Sequence, residues 1–487
     1  MLAHESRAHS PTKFFPHYFE EVNGLRLTAK FSTSSFTDPS SSMSQCQYQV
    51  TTSNSTVGHI HIDSGEGNPD LIYSSYWHQH PESFALSPHL PLFSDRISPL
   101  KIARHLANLL PEGLFPWVEA TQDKSSPPNI ATFVQACGPE PSGAFSIRQF
   151  ENEAKLPIEM PPIVEQLSDD VLSERIASRS QIPFSFWHGR YYQGLAGVHD
   201  KMQVVLKGEE LYLVDGSLCS THIIKPEALG LTTPFMVANE HYCMSLAAAM
   251  QLPTAPVHIR RTPAPLLVIE RFDRKWNAKS DVLQLGKVER LHTIDGCQAV
   301  GAASWEKHER CLANEEQQAR QKFGVGFKRL FKLEPFFVNP KEAQLLMIRW
   351  ALFNLLIGNG DAHAKNISFF QTADGLIPAP LYDLTSTCVY REAGLQEMAI
   401  GYGGAFRLEE INSENMVRFA TDAGFPSRLL AIEMQHIAHD AEKHFEALTR
   451  NKSYTSGEKK TVKKIAEFVR SQIDWMRSTA STMLICK

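Results

Sequence analysis

Hydrophobic residues alternate with polar ones along much of the first half of the chain and fall at helical spacing along the last part. Val57 to Ile62 alternates as a strand, and Phe19 to Thr28 carries Asn23-Gly24 between alternating segments, a strong hairpin signal. Leu86 to Leu92 reads as extended. Ile102 to Leu110 reads as a helix ended by Pro111-Glu112-Gly113. Pro161 to Arg179 is a charged stretch of helical character. Met202 to Leu206, Leu211 to Val214, Thr221 to Pro226 and Leu266 to Asp273 read as strands, the first two joined by a turn at Gly208. Asn239 to Met250 puts Tyr242, Leu246, Ala249 and Met250 on one helical face and is closed by Pro253. From about residue 286 helices dominate, with Met416 to Ala423, Leu429 to Leu448 and Thr461 to Met476 the clearest.

The most apolar run, Leu345 to Ile357, is broken by Arg349, Asn354 and little else. Leu345, Ile348, Leu352 and Leu355 share a helical face, so a buried helix is expected, too short and interrupted to span a bilayer. It delivers Asn359-Gly360-Asp361-Ala362-His363-Ala364-Lys365-Asn366, and Asp383 follows Asn366 by 17 residues. Phosphoryl transfer from ATP needs a carboxylate that orients the attacking hydroxyl, plus an amide and a second carboxylate for Mg²⁺. Protein kinases supply these as a loop Asp, an Asn five residues on and a later metal-binding Asp. Asp361, Asn366 and Asp383 fit that pattern. An Asn-Gly-Asp turn has backbone reasons of its own to exist, but the third group and the flanking segments favour the kinase reading. Between the two carboxylates, Ile367 to Phe370 reads as a strand, Ala373-Asp374-Gly375 as a turn, and Ile377 to Leu381 as the return strand.

The chain of 487 residues exceeds one comfortable domain, and three units are expected, at 1–118, 119–285 and 286–487. Thr33 to Ser44, Gln122 to Pro128 and Gly138 to Gly143 read as loops or connectors. The net charge of −5 argues against a generally basic nucleic-acid binder while leaving room for a local patch such as Lys459, Lys460, Lys463 and Lys464. Eight cysteines with no C-x-x-C pair fit a reducing compartment rather than a disulfide framework or zinc module. The polar start, Met1 to Pro11, has no signal-peptide core, so a soluble cytoplasmic protein is expected. Two His-x-His pairs, 59/61 and 78/80, could put both imidazoles on one face of a strand, but no Cys or carboxylate joins them, and surface histidines are expected rather than a metal site.

The middle of the chain adds nucleotide-binding features. Gly194-Leu195-Ala196-Gly197-Val198-His199-Asp200-Lys201 is a glycine-containing loop of the kind that lets backbone N–H groups approach phosphates, or a plain bend. Lys225 lies where a kinase strand carries its phosphate-pairing lysine, and Glu240 could pair with it or serve only the helix dipole. Glu270-Arg271-Phe272-Asp273 ends an apolar strand where an adenine hinge would lie.

Taken together, these motifs resemble the HipA family of kinase toxins from bacterial toxin–antitoxin modules. The resemblance runs from Leu86 to Leu92 and Ala107 to Gly113, through Gly138 to Ala144, Leu195 to Lys201, Thr221 to Lys225, Asn239-Glu240 and Glu270 to Arg274, to Arg290-Leu291-His292, Asp295, Cys297-Gln298, Gly360 to Ser368 and Pro380 to Asp383. It implies an α+β, bilobal, protein-kinase-like fold with a β-rich N-terminal subdomain and N-lobe and an all-helical C-lobe. It also implies an ATP- and Mg²⁺-dependent serine/threonine protein kinase. Carried over by position, Asp361 is the base, and Asn366 and Asp383 are the metal ligands. Lys225 and His363 contact phosphates, and Ala196, Gly197, Val198, His199, Asp200 and Lys201 form the phosphate loop. Glu270, Arg271 and Phe272 form the hinge, and Tyr382 stands beside Asp383 in the same nucleotide site. The implied partners are a protein substrate such as an aminoacyl-tRNA synthetase, a small helix-turn-helix antitoxin, and DNA indirectly or through the C-terminal basic patch. No membrane is implied.

Two departures stand out. Gly194 occupies the position at which relatives carry an autophosphorylated serine, and Ile294 stands where an acidic residue is expected beside Asp295. The rival readings are a small-molecule kinase of the aminoglycoside-phosphotransferase type and a non-catalytic nucleotide-binding regulator in a DNA-bound complex.

Overall fold

The computed structural model of the protein describes residues 46–52, 55–62, 68–94, 96–110, 140, 142–150, 163–188, 190–192, 200–215, 218–230, 232–277, 279–310, 324–393 and 397–485. The expected hairpin at Asn23-Gly24 and the connectors at 33–44 and 122–128 lie outside these residues.

The alternation seen in the early sequence builds a four-stranded antiparallel sheet in the order Pro69–Tyr73, Thr56–Ile62, Cys46–Thr51, Ser146–Phe150. Val57, Ile60 and Ile62 point inward with Tyr48 and Val50, and the helix Pro99–Ala107 closes that core through Ile102 and Leu106. His59 and His61 share the opposite, half-exposed face. The second His-x-His pair lies not on a strand but on the short helix Ser75–Gln79 and its C-cap residue, His80.

A second sheet has six strands, ordered Val257–Thr262, Ala264–Glu270, His222–Pro226, Met202–Lys207, Glu210–Asp215, Ile163–Leu167, each pair antiparallel. Its last strand corrects the expectation of one helix over Pro161 to Arg179. Ile163–Leu167 pairs with Glu210–Asp215, and only then does the helix Asp169–Ser178 begin. The cause is local: Ser168 accepts a hydrogen bond from the Val171 N–H at 3.3 Å, with Asp169 and Asp170 in the first turn, and these features start a helix rather than continue one. The helix Met236–Ala249 packs against this sheet and against the helices of the C-terminal part.

The apolar run lies within the helix Pro340–Ile357, N-capped by Asn339 and begun by Pro340. Because its residues are apolar nearly all round, it is enclosed on most sides, among them by the long helices Ser427–Leu448 and Ser456–Ile485. The region after residue 286 is not all-helical, however. Thr293–Asp295, Ser368–Thr372 and Gly375–Pro378 form a three-stranded sheet, and Glu397–Tyr402 pairs with Ala405–Arg407. The extra strand Thr293–Asp295 satisfies the outer edge of the hairpin that separates Asn366 from Asp383. Ile294 on that strand is 1% exposed, so the acidic position expected there is filled by a core side chain. Among the described residues, no helix is long and apolar enough to cross a membrane.

Gly358 ends the Pro340–Ile357 helix at φ +64°, and a Cβ there would stand 2.3 Å from the Cys388 Sγ. Gly358→Ala is therefore expected to destabilise the fold by about 1–3 kcal/mol or more, read as a lower urea midpoint at unchanged m-value.

Candidate active site

The chain leaves the Pro340–Ile357 helix through Gly358 and is pinned at once. The Asn359 amide donates to Asn354 Oδ1 at 2.9 Å, and its Oδ1 accepts the Asp361 N–H at 3.1 Å. The Gly360 N–H donates to Thr387 Oγ1 at 2.7 Å, and the Ala399 N–H donates to the Gly360 carbonyl at 2.8 Å. A Cβ on Gly360 would lie 2.6 Å from the Glu397 carbonyl oxygen, so this close crossing requires glycine. The loop then closes on itself, because the Asn366 amide donates to the Asp361 carbonyl at 2.9 Å. Asp361 and Asn366 are thereby held as one unit.

Asp361 presents a half-exposed carboxylate with His363 Nε2 at 3.9 Å and His308 Nε2 at 4.0 Å. Burial first, then the nearby Lys307 and His308, hold the His363 imidazole well below its usual pKa, so it is neutral at physiological pH. These three side chains form the one His/Cys/Asp/Glu group among the described residues that is compact enough to face a metal ion, with ligand atoms within 4.8 Å of one another.

Lys225 reaches the same place from the strand His222–Pro226. Its ammonium lies 2.7 Å from Glu240 Oε1 and 2.6 Å from Asp383 Oδ1. Burial opposes its charge, but Asp383 and Glu240 together hold it above the ordinary lysine range. Glu240 sits in a buried turn of the helix Met236–Ala249, where burial pushes its carboxyl up against the pull of Lys225. Asp383 adopts φ +56°, a left-handed backbone that a non-glycine residue holds only under constraint.

Most of the site residues expected from the sequence face one cleft of about 190 Å³. Lys201, Lys225, Asp361, His363, Asn366 and Asp383 line it, as do Glu270, Arg271, Phe272 and Tyr382. Asp200 is half-buried and is not part of the lining. Ala196, Gly197, Val198 and His199, and with them Gly194, lie outside the described residues. The Arg271 guanidinium is wholly buried and engaged by Asp273 at 2.7 and 2.8 Å and by Ser220 at 3.0 Å, so a ligand would meet this residue through its main chain. Burial opposes ionisation of Asp273, but Arg271 and Arg274 hold its carboxyl well below the usual range. The Phe272 ring lies against Tyr382, centroids 5.5 Å apart.

Sequence reasoning did not mark Lys365, Asn108, Lys307 or Ser368, all of which line the cleft. Lys365 was available as the one cation between Asp361 and Asn366, but nothing local distinguishes a buried lysine from a solvated one. The Tyr382 hydroxyl donates to the Lys365 carbonyl at 2.6 Å and meets Ser368 Oγ at 2.8 Å, which ties the Asp383 segment to the catalytic-type loop.

With this geometry in view, likeness to known proteins has a clear direction. The HipA-like C-terminal domain family model matches residues 193–448, and the HipA N-terminal domain model matches residues 48–148. The serine/threonine-protein kinase toxin HipA of Shewanella oneidensis is 33% identical over 388 residues, covering 78% of this chain and 84% of that protein. A relative from Sinorhizobium fredii, also named as a kinase, is 31% identical over 364 residues, covering 74% of this chain and 81% of that protein. A chain from the solved complex of Shewanella oneidensis HipA, HipB and operator DNA superposes with a TM-score of 0.77 at 28% identity, over 90% of this chain and 100% of that one.

Buried neutral histidines make the fold acid-sensitive. Burial holds His105 down to about 3 and His222, His241 and His292 down to about 4, from an ordinary 6.5. Between pH 6.5 and about 4 the unfolded chain binds protons that the folded chain refuses, so stability present above 6.5 is lost as the pH falls through that window. The urea midpoint is expected to drop across it. His292→Gln, which keeps a donor for the Leu86 carbonyl, should make the drop shallower.

Proposed function

We propose that this chain, which belongs to the HipA family, is the serine/threonine kinase of a toxin–antitoxin module and moves the γ-phosphoryl group of ATP to a hydroxyl of a protein substrate. The observation that carries the reading is the meeting of Lys225, Glu240 and Asp383 in the cleft that Asp361 and Asn366 also line. Protein kinases need a lysine paired with a helix glutamate and a downstream aspartate that holds Mg²⁺, and this cleft brings those residue types together.

The residues present suit ATP and Mg²⁺. Asp383 offers a partly exposed carboxylate, and Asn366 spends its amide N–H on Asp361, which leaves its carbonyl oxygen for the cleft. Hard oxygen donors of this kind are what Mg²⁺ takes, and bound there it would neutralise phosphate charge. Lys225 binds phosphate oxygens as a fully charged donor held in place by Glu240. His363, kept neutral by burial, donates or accepts a hydrogen bond without adding charge. Asp361 stands at the exposed edge, where a seryl or threonyl hydroxyl can approach, orients that hydroxyl and takes its proton as transfer proceeds. The six-stranded sheet with its helix Met236–Ala249 serves as the nucleotide-binding lobe, and Glu270 to Phe272 give the adenine a main-chain edge. The resemblance to the family implies a translation protein such as an aminoacyl-tRNA synthetase as the target, a relative named as a kinase toxin supports growth arrest, and a relative solved with HipB and operator DNA supports restraint by a small DNA-binding antitoxin.

Asp361→Asn should lower transfer by about a hundredfold or more while leaving ATP binding intact. Lys225→Ala should weaken ATP binding by about 1.5–3 kcal/mol in calorimetry, the worth of a hydrogen bond to a charged group. Phosphoproteomics of cells expressing wild type against Asp361→Asn, with growth followed, tests the whole reading. A dominant Asp361-dependent phosphoserine or phosphothreonine with arrested growth supports it. Asp361-dependent ATP turnover with no phosphoprotein would replace it with a small-molecule kinase.

A further inference from the structure

Lys365 lies inside the Asp361-to-Asn366 loop, yet its side chain is only 2% exposed and points away from solvent. Its ammonium donates to Asp295 Oδ2 at 2.5 Å, to the Asn108 carbonyl at 3.0 Å and to Asn108 Oδ1 at 3.1 Å. Asn108 is the C-cap residue of the helix Pro99–Ala107, 257 residues away in sequence, within the unit built on the four-stranded sheet. Its orientation is set from the other side of the amide. The Nδ2 group donates to the Arg104 carbonyl at 2.8 Å and to the Ala302 carbonyl at 2.9 Å, so Oδ1 is turned toward Lys365. Asp295 is also held, as the cap of the helix Gly296–Ala299 in a reciprocal pair with Gln298, whose amide donates to the His105 carbonyl at 3.3 Å.

We infer that Asn108 is a positioning residue for phosphoryl transfer, through which the segment packed on the four-stranded sheet holds Lys365 and so sets the Asp361–Asn366 loop in its working geometry. Asn108 acts through Lys365 and need not touch the reacting atoms. The far end of the loop is held in part by this buried ammonium, and on losing the Asn108 Oδ1 acceptor the ammonium shifts toward the two it keeps, Asp295 and the Asn108 carbonyl. Moving Lys365 moves the carbonyl that receives Tyr382 and, one residue on, Asn366 itself. Misplacement of about an ångström at a reacting centre costs on the order of a hundredfold in rate. Lys225 and the hinge segment are not part of this clamp, so the affinity for ATP without Mg²⁺ should be spared. The inference rests on the kinase reading for its effect on rate, but not for the clamp itself.

The test compares full-length wild type with Asn108→Ala, Asn108→Asp, Lys365→Met and the double variant Asn108→Ala/Lys365→Met. Asn108→Ala should lower kcat for MgATP turnover by about tenfold to a hundredfold while the affinity for ATP measured without Mg²⁺ stays unchanged. Asn108→Asp keeps an oxygen acceptor for Lys365 but turns a second oxygen toward the Arg104 and Ala302 carbonyls, so it should recover only part of the rate. In the Lys365→Met background the Asn108→Ala change should have no further effect, the signature of two residues acting as a unit. Hydrogen–deuterium exchange across residues 361–366 should quicken in Asn108→Ala at a temperature where both proteins remain folded. Equal exchange there, or additive losses in the double variant, would overturn the clamp. Absence of any Asp361-dependent turnover in wild type would instead overturn the kinase reading, and the exchange measurement would still decide the clamp.

Discussion

One ammonium group organises the centre of this molecule. Lys225 leaves the strand His222–Pro226, meets Glu240 from the helix Met236–Ala249, and reaches Asp383 beyond the hairpin of the C-terminal part. Each contact joins a different element, so sheet, helix and loop must be in register before all three charges are satisfied. Breaking such a buried cluster costs about 3–5 kcal/mol because a charge is left without a partner, whereas a surface pair costs almost nothing. The left-handed backbone of Asp383 belongs to the same constraint. The surrounding fold holds it there, and the carboxylate is delivered to the cleft as a result.

The second anchor is different in kind. The loop bearing Asp361 and Asn366 hangs from a helix that is buried nearly all round, so its origin cannot drift. Thr387 fixes the near end of the loop at Gly360, and what the helix cannot set is the far end, where Asn108 and Tyr382 hold Lys365 from two other parts of the chain. The cleft is therefore a place where rigid elements arrive from several directions, as precise chemistry on mobile connections requires.

Local periodicity carried the sequence reading well where it was strong. The apolar run over Leu345 to Ile357 gave the buried helix, and the strand–turn–strand after it appears as Ser368–Thr372 and Gly375–Pro378. The possible partnership of Lys225 with Glu240 was open because both residues sat at recognisable positions in their elements, and the two side chains do meet. Readings failed where a boundary lay inside an apparently uniform stretch. Charged residues over Pro161 to Arg179 masked the strand Ile163–Leu167, although Ser168-Asp169-Asp170 marks the helix start. The all-helical C-lobe implied by the resemblance failed, and beyond the hairpin already read, Thr293–Asp295 and Glu397–Tyr402 carry no turn signal or alternation long enough to mark them. Least legible was the role of Asn108 and Asp295 as acceptors for Lys365. Spacing encodes what happens within one element, and a contact across 257 residues leaves no trace in it.

The four-stranded sheet has a consequence for the order in which the chain can become structured during synthesis. Its strand Cys46–Thr51 lies between Thr56–Ile62, made almost at once, and Ser146–Phe150, made nearly a hundred residues later. Until that last strand emerges from the ribosome, Cys46–Thr51 is an open edge with a full row of unpaired N–H and C=O groups, a surface that invites other chains. The cleft waits longer still, since Lys225 has only Glu240 to meet until Asp383 has been translated. A nascent chain thus passes through a long interval in which it can be captured by another protein before it can act on one.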